Sequence, residues 1–242
     1  MEKKKIILVG GGGFCKSVID VAEDAGYEIL GILDLPSEVG KKCLGYEVIG
    51  TDDDIVNFID KAEFVITVGH IKDSRLRRKI YGRIKDAGGT VATIIAKDAY
   101  VSRHAVIGEG ALVMHKAMIS AEVEIGKCTI INTLVNISHE TKIGDFCHVS
   151  TCASVNGACK VADDSFVGSQ SVINQGISMC KSIIGSYSLV NKNIEEEGVY
   201  VGIPVRKIDY VKQIADNKPI TYFLGGGRII LPIYAAYNRI AV

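Results

Sequence analysis

The 242-residue sequence has no tryptophan, four prolines and only 7% aromatic residues. It also lacks net charge: 28 basic and 28 acidic side chains cancel, and no long run of one sign occurs. That balance disfavours a protein that binds nucleic acid or another polyanion through its overall field. No stretch reaches about 18 uninterrupted apolar residues, so no membrane-spanning helix is expected. The apolar run in MEKKKIILVGGGG is too short for a signal-peptide core. The expectation is a soluble, cytoplasmic chain. Seven cysteines occur, never as Cys-x-x-Cys, which gives no support to a disulfide framework or a zinc knuckle. What is abundant is glycine, at 26 residues, together with small and β-branched side chains.

From Lys5 to about Thr93, short apolar runs alternate with amphipathic stretches, the pattern of βαβ units around a parallel sheet. Ile6 to Val9 reads as a buried strand, Gly10 to Gly13 as a turn, and Phe14 to Ala22 as a helix ended by Gly26. Tyr27 to Leu33 gives a second strand, Asp52 to Ile59 a short helix, and Phe64 to Val68 a third strand. A basic helix runs from Ser74 to Gly88, and Val91 to Ile95 reads as a further strand. Three or four strands are expected.

Beyond this point the period changes. Every sixth residue from Ile95 to Met179 is apolar: Ile95, Val101, Ile107, Val113, Ile119, Ile125, Ile131, Ile137, Ile143, Val149, Val155, Val161, Val167, Ile173 and Met179. Chance would give such a run with a probability on the order of one in ten thousand or less. Four residues after most of these positions stands a small side chain, such as Ala111, Thr129, Cys147, Ala153, Cys159 or Ser171. One β-branched and one small inward residue per hexapeptide describe a parallel β-helix with three short strands and 18 residues per coil. Gly108, Gly126, Gly144 and Gly168 read as corner glycines. Ile184 and Val190 continue the pattern one residue out of phase, implying a bulge or deletion near Lys181. After Pro204, the spacing of Val205, Ile208, Val211 and Ile214 predicts a short helix ending by Asn217, and residues 220–242 form an apolar tail.

Five histidines occur, and imidazole is the usual proton-transfer group near neutral pH. His104 and His115 have no acidic neighbour in sequence and read as ordinary surface residues. His139 lies two residues after inward Ile137, at a corner, with Glu140 next to it. Eighteen residues on is Gly157, whose backbone N–H would then lie beside the imidazole as an oxyanion donor. His148, half a coil away, reads as belonging to another corner, which could meet the first only across a threefold interface.

The hexapeptide repeat, the run Asn132…His139-Glu140…Ile143-Gly144-Asp145-Phe146…His148, and the ending Gly198-Val-Tyr-Val-Gly202-Ile-Pro204 resemble the left-handed β-helix acyltransferases. The N-terminal βαβ unit resembles the nucleotide-sugar acetyltransferase branch, similar to the bacillosamine-pathway N-acetyltransferase and the sialic acid O-acetyltransferase-like proteins. The resemblance implies a Rossmann-like nucleotide-sugar-binding domain at 1–93, a left-handed β-helix acetyltransferase domain at 94–204, and a C-terminal helix and tail at 205–242. It implies acetyl-CoA as co-substrate, a nucleotide-linked amino sugar of the UDP-4-amino-dideoxy type as acceptor, and a homotrimer. His139 would be the general base and Glu140 would raise its basicity. His148 would contact acetyl-CoA from the neighbouring subunit, Gly157 would face the thioester carbonyl, and Ser169 and Ser186 would line the coenzyme groove. Asn132 would bind substrate.

The Gly10–Gly13 turn fails the full dinucleotide fingerprint, since Cys15 occupies the third glycine position. Its N–H groups at Gly12 and Gly13 still suit a phosphate, and Asp34 suits a ribose hydroxyl. Phe14 stands where the family usually has histidine, and the resemblance includes it among the substrate-binding positions. No metal is required by this reading. Sugar or sialic acid O-acetylation is the nearest rival, and a noncatalytic trimeric nucleotide-sugar-binding scaffold is a rival of another class. A gamma-class carbonic anhydrase is disfavoured because His115, His139 and His148 do not make a convincing ligand set. Membrane contact by the tail is disfavoured relative to packing on the β-helix or a neighbouring subunit.

Overall fold

The computed structural model describes residues 3–208 and the strands Ile220–Leu224 and Gly227–Leu231. The N-terminal unit contains β1 (Lys5–Val9), α1 (Gly13–Ala25), β2 (Glu28–Leu33), β3 (Lys42–Cys43), β4 (Tyr46–Gly50), β5 (Glu63–Ile66) and α2 (Arg75–Asp86). Its sheet order is β3-β4-β2-β1-β5, parallel except for the β3–β4 hairpin. Five strands form where three or four were expected. The additional pair is short and turns through Leu44 and Gly45, both at positive φ (48° and 92°), the geometry that matches the twist of paired strands. The strand expected over 91–95 is divided: Val91 bridges to Phe64, whereas Ile94–Ile95 already pairs with Leu112–Val113 of the next unit. Asp52–Asn57 is a 3₁₀ helix closed by a capping box between Thr51 and Asp54.

Strands β1 and β2 are apolar on both sides because both sides are covered. Ile6, Leu8 and Ile32 pack with α1 and with Leu112, Met114 and Ile130 of the β-helix, while Ile7, Val9 and Leu33 pack with Ile80 and Ile84 of α2. The two units therefore share a core. Arg77 of α2 is fully buried at their junction, donating to the carbonyls of Ile66 (3.1 Å), Val68 and Cys128 (2.7 Å). Arg78 forms a bidentate pair with Asp164 (2.7 and 3.0 Å) and stacks 4.2 Å over Phe146.

From Ile94 the chain winds into a three-sided β-helix. The first face holds Ile94–Ile95, Leu112–Val113, Ile130–Ile131, His148–Val149, Phe166–Val167 and Ser182–Ile184. The second runs from Tyr100–Val101 to Leu189–Val190, and the third from Val106–Ile107 to Ser178–Met179. Strands 18 residues apart pair in parallel, as in Ile131↔Val149 and Ile137↔Val155. After Met179 the offset becomes 17, with Val167↔Ile184 and Ile173↔Val190, which locates the deletion expected near Lys181. The hexapeptide Ile and Val side chains fill the interior, each contributing roughly 1.5–3 kcal/mol by burial. Small polar residues tie coils together: Thr141 Oγ1 donates to Asn156 O (2.9 Å) and accepts from Cys159 N–H (3.3 Å).

The corners differ from expectation. The left-handed residue is not the glycine after the inward position but the residue two places later, as in Leu134 (φ 60°), Glu140 (59°), Cys152 (60°) and Asp164 (59°). Gly126 and Gly168 answer to stacking: a Cβ there would come within 2.4 Å of the next coil's backbone.

The expected helix after Pro204 is also revised. Arg206–Ile208 is a strand antiparallel to Gly198–Val201, with Val199 opposite Ile208. The apolar spacing of Val205 and Ile208 suits either element by count, but the end of the β-helix offers an unpaired strand edge. Residues 209–219 and 232–242, which include the rest of that helix and part of the tail, lie outside the described residues. The tail's strands Ile220–Leu224 and Gly227–Leu231 pair antiparallel. Among the described residues, no helix is long and apolar enough to cross a membrane.

Candidate active site

His139 stands on the edge between the second and third faces. Its Nδ1 lies 2.9 Å from Glu140 Oε2, and both side chains are more than half exposed. Neighbours in an extended strand would point apart. The left-handed backbone of Glu140 turns its carboxylate back onto the ring instead. With Nδ1 protonated toward the carboxylate, Nε2 carries the lone pair. The ring lies over Gly157, where a Cβ would come 2.6 Å from Cε1 and 2.7 Å from Nε2. A side chain there would push the ring aside. The hydrogen bonds of the coil take the N–H of Ala158 to His139 O (2.8 Å), and no acceptor among the described residues takes the N–H of Gly157. Base, carboxylate and backbone donor thus share one open corner.

His148 is elsewhere. It belongs to a strand of the first face rather than to a corner, because its position precedes the inward Val149 and points outward. The N-terminal unit covers it. Nδ1 lies 2.8 Å from His70 O, and since a carbonyl only accepts, Nδ1 carries the proton. Nε2 then accepts from Asn132 Nδ2 at 3.3 Å, while Asn132 Oδ1 accepts from Thr133 N–H (2.8 Å). The rings of Phe14, His70 and Phe166 surround it at 6.3, 5.7 and 5.2 Å. Burial pushes the His148 imidazole down to about 4 and His70 down to about 3, so both are neutral at physiological pH. Sequence reasoning missed this seam.

Ser169 and Ser186 occupy the edge between the first and second faces, one coil apart: Tyr187 N–H donates to Ser169 O (2.8 Å), and Ser150 Oγ lies 2.9 Å from Ser169 Oγ. Asn132 lies on the same edge. His139 and Gly157 lie on a different one, so one chain does not unite these groups. His115, read from sequence as an ordinary surface residue, is bridged by Asp98 (2.8 Å) and Asp20 (3.6 Å) and ties α1 to the β-helix. Its partner Asp98 is visible only once coils are stacked 18 residues apart. Cys147 and Cys159 are buried interior fillers, and burial pushes the Cys147 thiol up to about 12. Among the described residues, no three His, Cys, Asp or Glu side chains converge as a metal site.

At the N-terminal unit, Gly10 turns at φ 107° and α1 begins after Gly12, without a side-chain cap and without an acidic residue in its first turn. A Cβ at Gly12 or Gly13 would meet nothing within 4 Å, so the helix N-terminus faces open space, where an anion is favoured. Asp34 holds the turn, accepting from Gly11 N–H and Leu35 N–H, each at 2.8 Å. Phe14 packs against Gly69.

Residues 5–84 match the PglD N-terminal domain. PerB from Caulobacter crescentus, solved with CoA and GDP-perosamine, is 26% identical to this chain, with a TM-score of 0.79 over 84% of this chain and 97% of that one. The acetyltransferase domain of PglB from Neisseria gonorrhoeae is 25% identical, with a TM-score of 0.78 over 85% of this chain and 100% of that one. An uncharacterised protein of Acanthamoeba polyphaga mimivirus is 37% identical over 110 residues, covering 45% of this chain but only 21% of that protein. The chain thus matches about a fifth of that relative's length. With a three-sided coil of hexapeptides behind a small parallel sheet, the chain shares the fold of these acetyltransferases.

Proposed function

We propose that this protein is an acetyl-CoA-dependent N-acetyltransferase of nucleotide-linked amino sugars, with His139 as general base. The observation that carries the reading is the open corner where His139, oriented by Glu140, rests on Gly157. The acceptor amine attacks the thioester carbonyl while His139 Nε2 takes its proton. A C–N bond forms, the oxyanion is held by the Gly157 N–H, and the C–S bond breaks as the imidazolium returns the proton to the departing thiolate. Glu140 stabilises the imidazolium in between. No thiol need intervene in this direct transfer.

The pyrophosphate of the acceptor binds at Gly12 and Gly13, with Asp34 and Phe14 on either side. Ser169 and Ser186 line the coenzyme groove along their own edge. Asn132 keeps one amide hydrogen for substrate, whereas His148 supports that edge from behind, its polar atoms being engaged by His70 and Asn132. A cyclic trimer brings the two edges together from neighbouring chains. Its support is the second face, whose outward residues Tyr100, Met118, Asn136, Ser154, Val172 and Leu189 include no charge, while the third carries Glu124, Lys142 and Lys160. The similar PerB structure holds CoA and GDP-perosamine, so the UDP-4-amino-dideoxy type expected from sequence is tested against GDP-linked sugars.

Incubation with acetyl-CoA and a panel of UDP- and GDP-linked 4-amino sugars, with thiol release and product mass as readouts, checks the proposal. An added acetyl group that resists hydroxylamine marks an amide. A hydroxylamine-labile product would assign O-acetylation, and nucleotide-sugar binding without any transfer would favour a scaffold.

A further inference from the structure

His70 follows Gly69 at the carboxyl end of β5, and β5 lies on the opposite side of β1 from β2. The chain therefore reverses its direction of winding between β1 and β5, and in open α/β sheets ligands enter the crevice beyond the strand ends at such a switch point. Gly10–Gly13 forms one wall here and Thr67–His70 the other. The two are locked together, since Thr67 Oγ1 donates to Gly10 O (2.5 Å) and Val68 occupies the space a Cβ on Gly10 would need.

His70 is only 8% exposed, yet neither of its ring nitrogens has a hydrogen-bond partner among the described residues. His148 lies 5.7 Å away, Phe14 covers adjacent Gly69, and Arg77, Asp164 and Asp73 are the charged groups acting on it. An apolar side chain would fill the same space without burying two unpaired polar atoms. Packing alone does not ask for histidine. Held neutral by burial, the ring offers one donor and one acceptor, which suits an uncharged hydroxyl better than a phosphate. His148 bonds to the main-chain carbonyl of His70 rather than to its ring, so that bond makes no demand on the ring nitrogens.

We propose that His70 is a specificity-determining residue that hydrogen-bonds a hydroxyl of the glycosyl moiety when a nucleotide sugar occupies this crevice. The assignment rests on the nucleotide-sugar reading above. Asp34, at the end of β2, and His70, beyond β5, flank the glycine turn from opposite sides. A pyrophosphate on the turn would place the nucleoside toward Asp34 and the sugar toward His70.

Calorimetric titration with UDP, GDP and dTDP, each beside its hexose conjugate (UDP-glucose, GDP-mannose, dTDP-glucose), tests this on wild type, His70→Leu and His70→Asn. The expected result is about tenfold weaker binding of the conjugate to His70→Leu, unchanged binding of the diphosphate, and recovery of most of the loss in His70→Asn. In wild-type protein, the imidazole ¹⁵N shifts of His70 should move with the conjugate and not with the diphosphate, a readout that needs no variant. Equal loss of both ligands, no loss in either, or unmoved shifts overturn the role of His70 and leave the nucleotide-sugar site standing. Failure of wild type to bind any of these ligands overturns the reading beneath it as well.

Discussion

His139 and His148 are nine residues apart in sequence and occupy opposite surroundings. His139 stands in solvent with a carboxylate on one nitrogen and the other open; His148 is sealed beneath the N-terminal unit with both nitrogens engaged. The first leaves one nitrogen open to solvent or a bound ligand. The second does not, and burial disfavours its charged form. Under the proposed mechanism, one fold uses the same side chain for proton transfer at an edge and for a neutral contact between two units at a face. Proximity in sequence says nothing about which role an imidazole takes; the position within the hexapeptide decides it.

Acidification should break the buried side of this comparison. His70 and His148 titrate near 3 and 4 in the folded chain, below the 6.5 of a free imidazole. Above pH 6.5 both states are neutral and full stability is present. As pH falls below 6.5 the unfolded chain takes up protons that the folded chain refuses, so stability is lost down toward the folded values of about 4 and about 3. At pH 5 this amounts to about 2 kcal/mol for each imidazole. Melting temperatures between pH 7 and pH 5 check it: His148→Phe should show a visibly flatter pH dependence, and an unchanged slope would contradict the buried, neutral assignment.

A smaller effect sharpens the exposed side. Gly157→Ala places a Cβ against the His139 ring, displacing it from Glu140 while the coil stays closed. Acetyl transfer should fall on the order of 100-fold in kcat. The melting temperature should change little, because the displaced ring is already in solvent. Wild-type kcat in this variant would show that the ring position over Gly157 is immaterial.

Much of this architecture is legible in the sequence because a stacked coil repeats its constraints. Fourteen isoleucines and valines at six-residue intervals fix three faces and their register, and adding 18 to His139 reaches Gly157. The same arithmetic applied to Asp98 would have reached Lys116, beside His115, and exposed that second carboxylate–imidazole pair. Other features have no local signature. The β3–β4 hairpin is two and five residues long, with a leucine at positive φ in its turn. The bond between His70 and His148 spans 78 residues and exists only because one unit docks on a face of the other. Corner conformation departs from expectation for a physical reason: a corner glycine suggests left-handed backbone, whereas at Gly126 and Gly168 it answers to the closeness of the next coil.

The central claim is that proton transfer resides at the exposed corner, while the imidazoles of the buried seam stay neutral. It is tested most directly by kcat/KM for acetyl transfer together with the melting temperature of His139→Ala. The expected result is a loss of transfer of about 10²- to 10⁴-fold with a melting temperature close to that of wild type. Transfer by purified His139→Ala at the wild-type rate would contradict the account.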